Sequence, residues 1–220
     1  TLTSRDAPFD RFVAGDRDAI SVSAQRGLKL FLGKAACISC HNGPAFTDNG
    51  FHNVGVPQGY ENSGVHHDVA TDDGLYLGLG KVLKGRWNQE SVWSDDPQGQ
   101  GREQLDWFRQ LESDGGCDAA ITDQCTSTAV GNKGLWRTSI LRNIAETAPY
   151  FHNGSADTLR DVIALYNDPP QAGENGHSGE ISPLLRQPLG LTASEVDDLV
   201  AFLETLTGVP PEHFAPVGVR

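Results

Sequence analysis

Two cysteines and a histidine form the most informative cluster in this sequence. Cys37 and Cys40 are separated by two residues, and His41 follows directly. Two thiols at this spacing can each bond one vinyl group of a single porphyrin, and a histidine beside the second thiol can bind the iron from one side. The pattern therefore predicts a covalently attached haem c, with Cys37 and Cys40 as attachment residues and His41 as an axial ligand.

Two other kinds of site contain cysteines at this spacing. A thioredoxin-like redox pair requires a βαβ setting, which the helical pattern around these residues does not offer. Half of a zinc site would need two further ligands. Neither site requires a histidine directly after the second cysteine, so the haem interpretation is favoured. The motif leaves the second axial position of the iron open.

Composition limits the class of protein. A chain of 220 residues with 38% hydrophobic residues is long enough for one large or two small globular domains. The net charge of −12 argues against nucleic acid as a partner and favours either plain solubility or a small basic electron-transfer protein. No run approaches the roughly 20 apolar residues that a membrane span needs, and no signal peptide begins the sequence. We therefore expect a soluble, mature or trimmed chain.

The other two cysteines, Cys117 and Cys125, lie in a polar segment without a nearby histidine. A disulfide between them would close a short loop and stabilise the fold by roughly 2.5 kcal/mol. Free thiols are the alternative, because sequence alone does not show pairing. A disulfide implies an oxidising compartment, and c-type haem is normally attached outside the cytoplasm. Both observations predict a bacterial periplasmic or extracellular location.

Hydrophobic spacing predicts helices at both ends of the chain. Residues 24–32 follow a possible N-cap at Ser21 or Ser23 and end at Gly33. Thr192 and Glu195 form a capping box for a last helix that is expected to stop at Gly208 and Pro210. In a cytochrome c core these two helices would cross.

A third helix is predicted from Thr158 to about Tyr166, with its apolar residues on one face. Tyr166 lies on that face and is therefore expected to point inward. Between Gly43 and Gly134 the helical signal weakens, apart from residues 102–111, which predict a helix packed by three apolar side chains. Those side chains are Leu105, Phe108 and Leu111. We expect this region to be a long excursion that covers the haem edge or a partner surface.

Several segments, taken together and in their order along the chain, indicate a protein family more specifically than the haem motif alone. They are residues 26–31 before the motif, 42–44 after it, 51–57, 141–143, 147–154 and 191–203. Together they resemble the C-terminal haem domain of the bacterial di-haem cytochrome c peroxidases and of MauG, the related enzyme of methylamine utilisation. The resemblance implies an all-α, cytochrome c-like haem domain over residues 21–220, with a loop-rich insertion at 58–131. Residues 1–20 resemble the linker between the two haem domains.

The resemblance also implies a function. Members of that family carry a second haem in an N-terminal domain, where hydrogen peroxide reacts, and the C-terminal haem passes electrons to it. This chain has one haem motif, so the partner would be an N-terminal haem domain or a second haem-bearing chain, with a small electron-transfer protein or a protein substrate as redox partner. The alternative is a stand-alone mono-haem carrier without catalysis. A third possibility is that this haem itself has an open, reactive site.

The family pattern places the far iron ligand at Tyr166. Typical peroxidases use methionine there, and this chain has none. MauG-like proteins use tyrosine, whose anion stabilises ferric iron and should lower the reduction potential. The alternatives are a core tyrosine that does not bind iron, a site that is empty or holds water, or ligation by another side chain. The other candidate ligands are His52, His66, His67, His152 and Lys34.

Two further sets of site residues follow from the sequence with less specificity. Arg137 and Arg142 could pair with haem propionates, although ordinary surface arginines would look the same. The resemblance implies a calcium ion bound by main-chain oxygens, which here would belong to Thr147 and Pro149. That site would be incomplete without the N-terminal domain.

Overall fold

The structure, a computed structural model, describes residues 6–57, 73–94, 100–113, 133–170, 177, 179–185 and 187–208. Helices dominate these residues, as the sequence predicts. The α-helices are α1 (Pro8–Val13), α2 (Val22–Leu32), α3 (Leu75–Leu83), α4 (Gln100–Ser113), α5 (Leu159–Asn167) and α6 (Ala193–Glu204). Two short strands, β1 (Phe51–His52) and β2 (Trp136–Arg137), pair with each other. No helix in the described part is long and apolar enough to cross a membrane.

The caps predicted from sequence begin the three helices for which a cap was predicted. The Ser21 hydroxyl accepts a hydrogen bond from the Ala24 amide at the start of α2, and Gly33 ends that helix. Capping boxes at Thr158 and Thr192 begin α5 and α6. These side chains satisfy amides that the first turn of a helix otherwise leaves unpaired.

The predicted end of the last helix was wrong by one turn. α6 ends at Glu204 and not at Gly208. The Thr205 and Leu206 amides donate to the carbonyls three residues earlier, at 2.9 and 3.1 Å. Hydrogen bonds of this spacing form tight turns and end the α-helix. Leu206 is nevertheless fully buried.

The described chain divides into two compact units. The first unit contains residues 6–50, 137–169 and 187–208, and the second contains residues 51–57, 73–94, 100–113, 133–136, 170, 177 and 179–185. The haem motif and Tyr166 both belong to the first unit. The predicted insertion at 58–131 supplies α3 and α4, and its boundaries stay a prediction.

In the first unit, α2 and α6 pack directly against each other. Gly27 makes this possible, because a Cβ atom there would lie 1.9 Å from the Asp198 carbonyl oxygen. Beside it, Arg26 donates two hydrogen bonds of 2.7 Å to the Asp198 carboxylate, which also accepts one from the Ser23 hydroxyl. The expected contact between α2 and the last helix, α6, is therefore confirmed. It includes the buried carboxylate of Asp198.

An aromatic cluster fills the core of the first unit. Phe31 of α2 and Phe202 of α6 have ring centroids 5.1 Å apart, and Phe46 packs against both. Phe9 of α1 meets the Phe46 and Phe202 rings edge-on, at 5.5 Å each. The segment that resembles a linker thus carries a helix with an aromatic anchor, and its role as a linker stays a prediction.

The second unit has a smaller core between α3 and α4. Its buried residues are Leu75, Leu79, Leu105 and Phe108. The helix expected over residues 102–111 is confirmed by α4, while the side chain of Leu111 lies outside the described residues. The sequence did not predict α3, because Gly78 and Gly80 lower its helix propensity.

Candidate haem site

Four residues separate the end of α2 from Cys37, the first residue of the haem motif, which forms a tight turn. Cys37–Ser39 is a short 3-10 helix, preceded by Ala36 in a left-handed conformation with φ 50°. The His41 amide donates to the Cys37 carbonyl at 2.8 Å. This turn brings both cysteines and His41 onto one compact segment. Cys37 and Ile38 also pack against the buried core of the first unit.

The orientation of the His41 ring is set by a backbone carbonyl. Its Nδ1 atom lies 2.9 Å from the Phe46 carbonyl oxygen. A carbonyl can only accept, so the proton belongs on Nδ1, and the neutral ring carries its lone pair on Nε2. Metal-binding histidines usually hold their second nitrogen in this way. The geometry therefore fits His41 as an iron ligand through Nε2.

The Phe46 carbonyl belongs to residues 42–47, which we call the ligand loop. Within it, the Thr47 amide donates to the Asn42 carbonyl at 2.8 Å and the Phe46 amide to the Gly43 carbonyl at 3.1 Å. Phe46 itself has a left-handed φ of 56°. This conformation costs a residue other than glycine about 1–3 kcal/mol, so surrounding contacts must hold it. The aromatic cluster supplies those contacts.

The protonation of the two thiols argues against a redox pair. Burial is the main cause that raises the pKa of Cys37 to about 11, and burial also raises the pKa of Cys40, with a further contribution from Asp48. Redox-active cysteine pairs have a lowered thiol pKa, because the thiolate is their reactive form. The raised pKa values therefore do not fit a redox-active pair.

Tyr166 lies near the cysteines, half-buried on α5. Its ring packs on that of Phe151, with centroids 6.4 Å apart. Burial raises the pKa of Tyr166 well above its usual range, and charge on Cys37 or Cys40 would raise it further. A tyrosinate here would therefore need a cation beside it, and ferric haem iron would supply that charge.

The two candidate propionate partners have protein contacts of their own. Arg137 donates to the Asn49 side chain. Arg142 donates from Nε to the Pro44 carbonyl at 2.9 Å and forms an ion pair with Asp10, with Nη1 and Oδ1 2.8 Å apart. Their pairing with propionates stays a prediction.

Some of the other candidate residues belong to the described part of the chain. Lys34 pairs with Glu195 on the surface at 2.7 Å. The Thr147 hydroxyl donates to the Ile144 carbonyl at 3.1 Å, and the bond before Pro149 is cis. His66, His67, Cys117 and Cys125 lie outside the described residues. The calcium site and the disulfide stay predictions.

Sequence reasoning missed Phe46. The residue acts on His41 through its carbonyl, and every residue type carries the same carbonyl. The only local signal is the proximity of Gly43 and Pro44, which indicates a turn shortly after the motif.

Comparison with known proteins agrees with the expected family. The chain is 38% identical over 204 residues to cytochrome-c peroxidase IdrP1 of Denitromonas iodatirespirans, in an alignment that covers 93% of this chain and 45% of that protein. It is 28% identical over 213 residues to the methylamine utilization protein MauG of Methylorubrum extorquens, covering 96% of this chain and 42% of MauG. The chain spans about half the length of the curated relatives it matches. No protein-family model matches the sequence.

Solved structures show the same fold. A MauG-like protein associated with microbial copper homeostasis matches with a TM-score of 0.57 and 27% identity, over 94% of this chain and 53% of that one. The diheme peroxidase BthA of Burkholderia thailandensis matches with a TM-score of 0.56, over 93% of this chain and 47% of BthA. At 23% identity, this match supports the fold only. The predicted all-α, cytochrome c-like fold is confirmed.

Proposed function

As this chain belongs to the family of the di-haem cytochrome c peroxidases and MauG, we propose that it supplies a haem c domain that transfers electrons between a partner and a peroxide-activating haem. The observation that carries the proposal is the hydrogen bond between His41 Nδ1 and the Phe46 carbonyl, 2.9 Å long, directly after the two cysteines. That bond orients an imidazole for iron at a haem-attachment motif.

In this proposal Cys37 and Cys40 hold the haem covalently, and His41 binds its iron through Nε2. The haem supplies one-electron redox chemistry when bound. The Phe46 carbonyl keeps the proton on Nδ1 and makes the ring a stronger electron donor. Arg137 and Arg142 would balance the propionate charges.

Tyr166 is proposed as a second protein ligand of the haem iron. Its burial and its proximity to both cysteines support this role. Burial alone keeps the phenol neutral, so the hydroxyl would lose its proton only beside ferric iron. A phenolate at Tyr166 would be stabilised less by ferrous than by ferric iron. The ligand would therefore favour the ferric state and lower the reduction potential.

The partner and the compartment belong to the same proposal. Because the relatives are about twice as long as this chain, we expect an N-terminal haem domain or a second haem-bearing chain to hold the peroxide-activating haem, with hydrogen peroxide as oxidant. The net charge of −12 suits a small basic electron-transfer protein as donor. A periplasmic location, a disulfide between Cys117 and Cys125, and calcium at Thr147 and Pro149 complete the proposal.

The first test is the number of haems in the purified chain and its ligands. We expect one covalently bound haem per chain and a low-spin ferric spectrum. Replacement of Tyr166 by Phe should convert that spectrum to high spin or to that of a substitute ligand. Tyr150→Phe is the matched control, because the Tyr150 hydroxyl donates to the Ile144 carbonyl and should leave the spectrum unchanged. An unchanged spectrum in Tyr166→Phe would reject tyrosine ligation.

The second test addresses electron transfer. The protein that contains both this domain and the peroxide-activating haem is reduced, mixed with hydrogen peroxide, and followed by stopped-flow absorbance. Oxidation of this haem should accompany peroxide consumption, and His41→Gly should suppress it. If peroxide is consumed while this haem stays reduced, the proposed electron transfer is wrong.

A further inference from the structure

We propose that the Asp10–Arg142 ion pair positions the axial ligand His41 by clamping the ligand loop, residues 42–47. This inference rests on the proposed function in so far as His41 binds haem iron. It assigns Arg142 a role that its contacts in this fold support directly. Arg142 is a positioning residue, since it acts on His41 through the ligand loop.

Arg142 contacts the ligand loop at two points. Its Nε atom donates to the Pro44 carbonyl at 2.9 Å. Its guanidinium carbon lies 5.1 Å from the centroid of the Phe46 ring, which is a cation–π contact. The same side chain thus contacts both the backbone of the loop and the ring of the residue whose carbonyl accepts from His41.

Asp10 fixes the other end of this arrangement. Its Oδ1 atom lies 2.8 Å from Arg142 Nη1, and its Oδ2 accepts from the Ala7 amide at 3.3 Å at the start of α1. The Arg142 side chain is 18% exposed and that of Asp10 is 35% exposed. This contact lacks the alignment of a hydrogen bond, so it acts as a charge–charge attraction, which partial shielding from water strengthens.

The conformation of Phe46 explains why a clamp is needed. Its φ of 56° is unfavourable for a residue with a side chain, so the loop would relax if its contacts were removed. The rings of Phe9, Phe31 and Phe202 hold the Phe46 ring from the core. Arg142 adds contacts to the Phe46 ring and to the loop backbone. A shift of this loop moves the carbonyl that orients the His41 ring.

The expected consequence is electronic. A hydrogen bond from Nδ1 to a carbonyl makes an imidazole a stronger donor to a metal, which favours the oxidised metal. Loosening of the clamp weakens that bond. The reduction potential should therefore become more positive, and the Nδ1 proton of His41 should exchange with water faster.

The experiment measures these two quantities in the haem-bearing protein. Arg142→Gln should speed His41 Nδ1–H exchange by at least about fivefold, followed by NMR of ¹⁵N-histidine-labelled, reduced protein. Asp10→Asn should also speed this exchange but less, because the contacts of Arg142 with Pro44 and Phe46 remain. The exchange rate of Arg142→Lys should lie between those of Arg142→Gln and the unchanged protein. The reduction potential is compared between the unchanged protein and Arg142→Lys, which keeps the positive charge.

Arg160→Gln is the matched control. Arg160 pairs with Asp197 on the surface of the same unit, without contact to the ligand loop. It should leave both quantities unchanged. If Arg142→Gln lowers only the melting temperature and keeps the wild-type exchange rate of the His41 Nδ1 proton, the pair merely stabilises α1 and the inference is wrong. If Arg142→Gln does not fold, Asp10→Asn decides by the same criteria.

The proposed electron transfer and the proposed role of Arg142 can be rejected independently. A haem that binds to this chain but exchanges no electrons with a peroxide-activating haem contradicts the proposed function. The reduction potential and the Nδ1–H exchange do not depend on peroxide turnover, so they still decide whether Arg142 positions His41.

Discussion

The two units differ in what their cores hold in place. In the first unit, the buried residues of α2, α5 and α6 form one cluster against which Cys37 and Ile38 pack. Phe46 joins the same cluster by its ring and contacts His41 by its carbonyl. Among the described residues of the second unit, the buried cluster is formed by Leu75 and Leu79 of α3 with Leu105 and Phe108 of α4. In the first unit, core packing is therefore linked to the haem motif.

This difference predicts how damage spreads within each unit. Loss of packing in the first unit should alter the orientation of His41, because the same side chains support both. Loss of packing in the second unit should lower stability locally and leave the haem ligands unchanged.

Phe202→Ala should have the largest effect. The Phe202 side chain is fully buried, and its removal should lower the free energy of unfolding by about 3–5 kcal/mol. Because Phe202 packs on Phe46 and Phe31, the fraction of chains that carry covalent haem should fall as well. Guanidinium unfolding and the ratio of haem to protein measure the two effects. Phe202→Leu keeps most of the volume and should lose much less of both.

Leu79→Ala tests the second unit. Leu79 is 1% exposed, and the substitution should cost about 3 kcal/mol in local stability, seen as faster hydrogen exchange in α3 and α4. The haem spectrum should stay unchanged. Val82→Ala, at a position that is 40% exposed on the same helix, is the control with little expected effect. A shifted haem spectrum in Leu79→Ala would contradict the separation of the two cores.

Glycine-to-alanine substitutions should have opposite signs in the two units. At Gly27 the new Cβ would lie 1.9 Å from the Asp198 carbonyl oxygen, so α2 and α6 must separate. We expect a net loss of about 1–2 kcal/mol, because overpacking outweighs the gain in helix propensity. At Gly78 of α3 no atom lies within 4 Å, so alanine should stabilise the helix by up to about 1 kcal/mol. Chemical denaturation of both variants measures the contrast.

Acid should weaken the contact between α2 and α6. Hydrogen bonds from Arg26 first and from Ser23 next lower the pKa of Asp198 below its ordinary value of 3.8. A lowered folded-state pKa gives stability that is present above the unfolded pKa and is lost as the pH falls through the folded pKa. Unfolding measured from about pH 5 down to about pH 2 should show this loss.

The control for the acid experiment is a pair of amide variants. Asp198→Asn should remove the pH-dependent part and flatten the curve. Asp197→Asn changes the exposed neighbour that pairs with Arg160, and exposed pairs contribute little, so its curve should follow the wild type. A wild-type slope in Asp198→Asn would show that another carboxylate carries the acid sensitivity.

The sequence predicted those parts of the fold whose signal is local. A capping box needs two residues three positions apart, and Thr158 with Asp161 and Thr192 with Glu195 satisfy it. The helix around Leu105 and Phe108 was predictable from its apolar spacing. α3 was not predictable, because its stability comes from packing of Leu75 and Leu79 on α4 and its glycines argue against a helix.

The candidate site divides in the same way. Sequence by itself predicted the attachment motif, since Cys37, Cys40 and His41 lie within five residues and the prediction follows from their spacing. It also placed Tyr166 on the inward face of a helix. The tertiary structure decided that Tyr166 lies near the cysteines, that the Phe46 carbonyl orients His41, and that Arg142 and Asp10 meet at the ligand loop. Every residue has the same backbone carbonyl, and contacts between segments that are distant in the chain produce no recognisable sequence pattern. These features are therefore visible only in the folded chain.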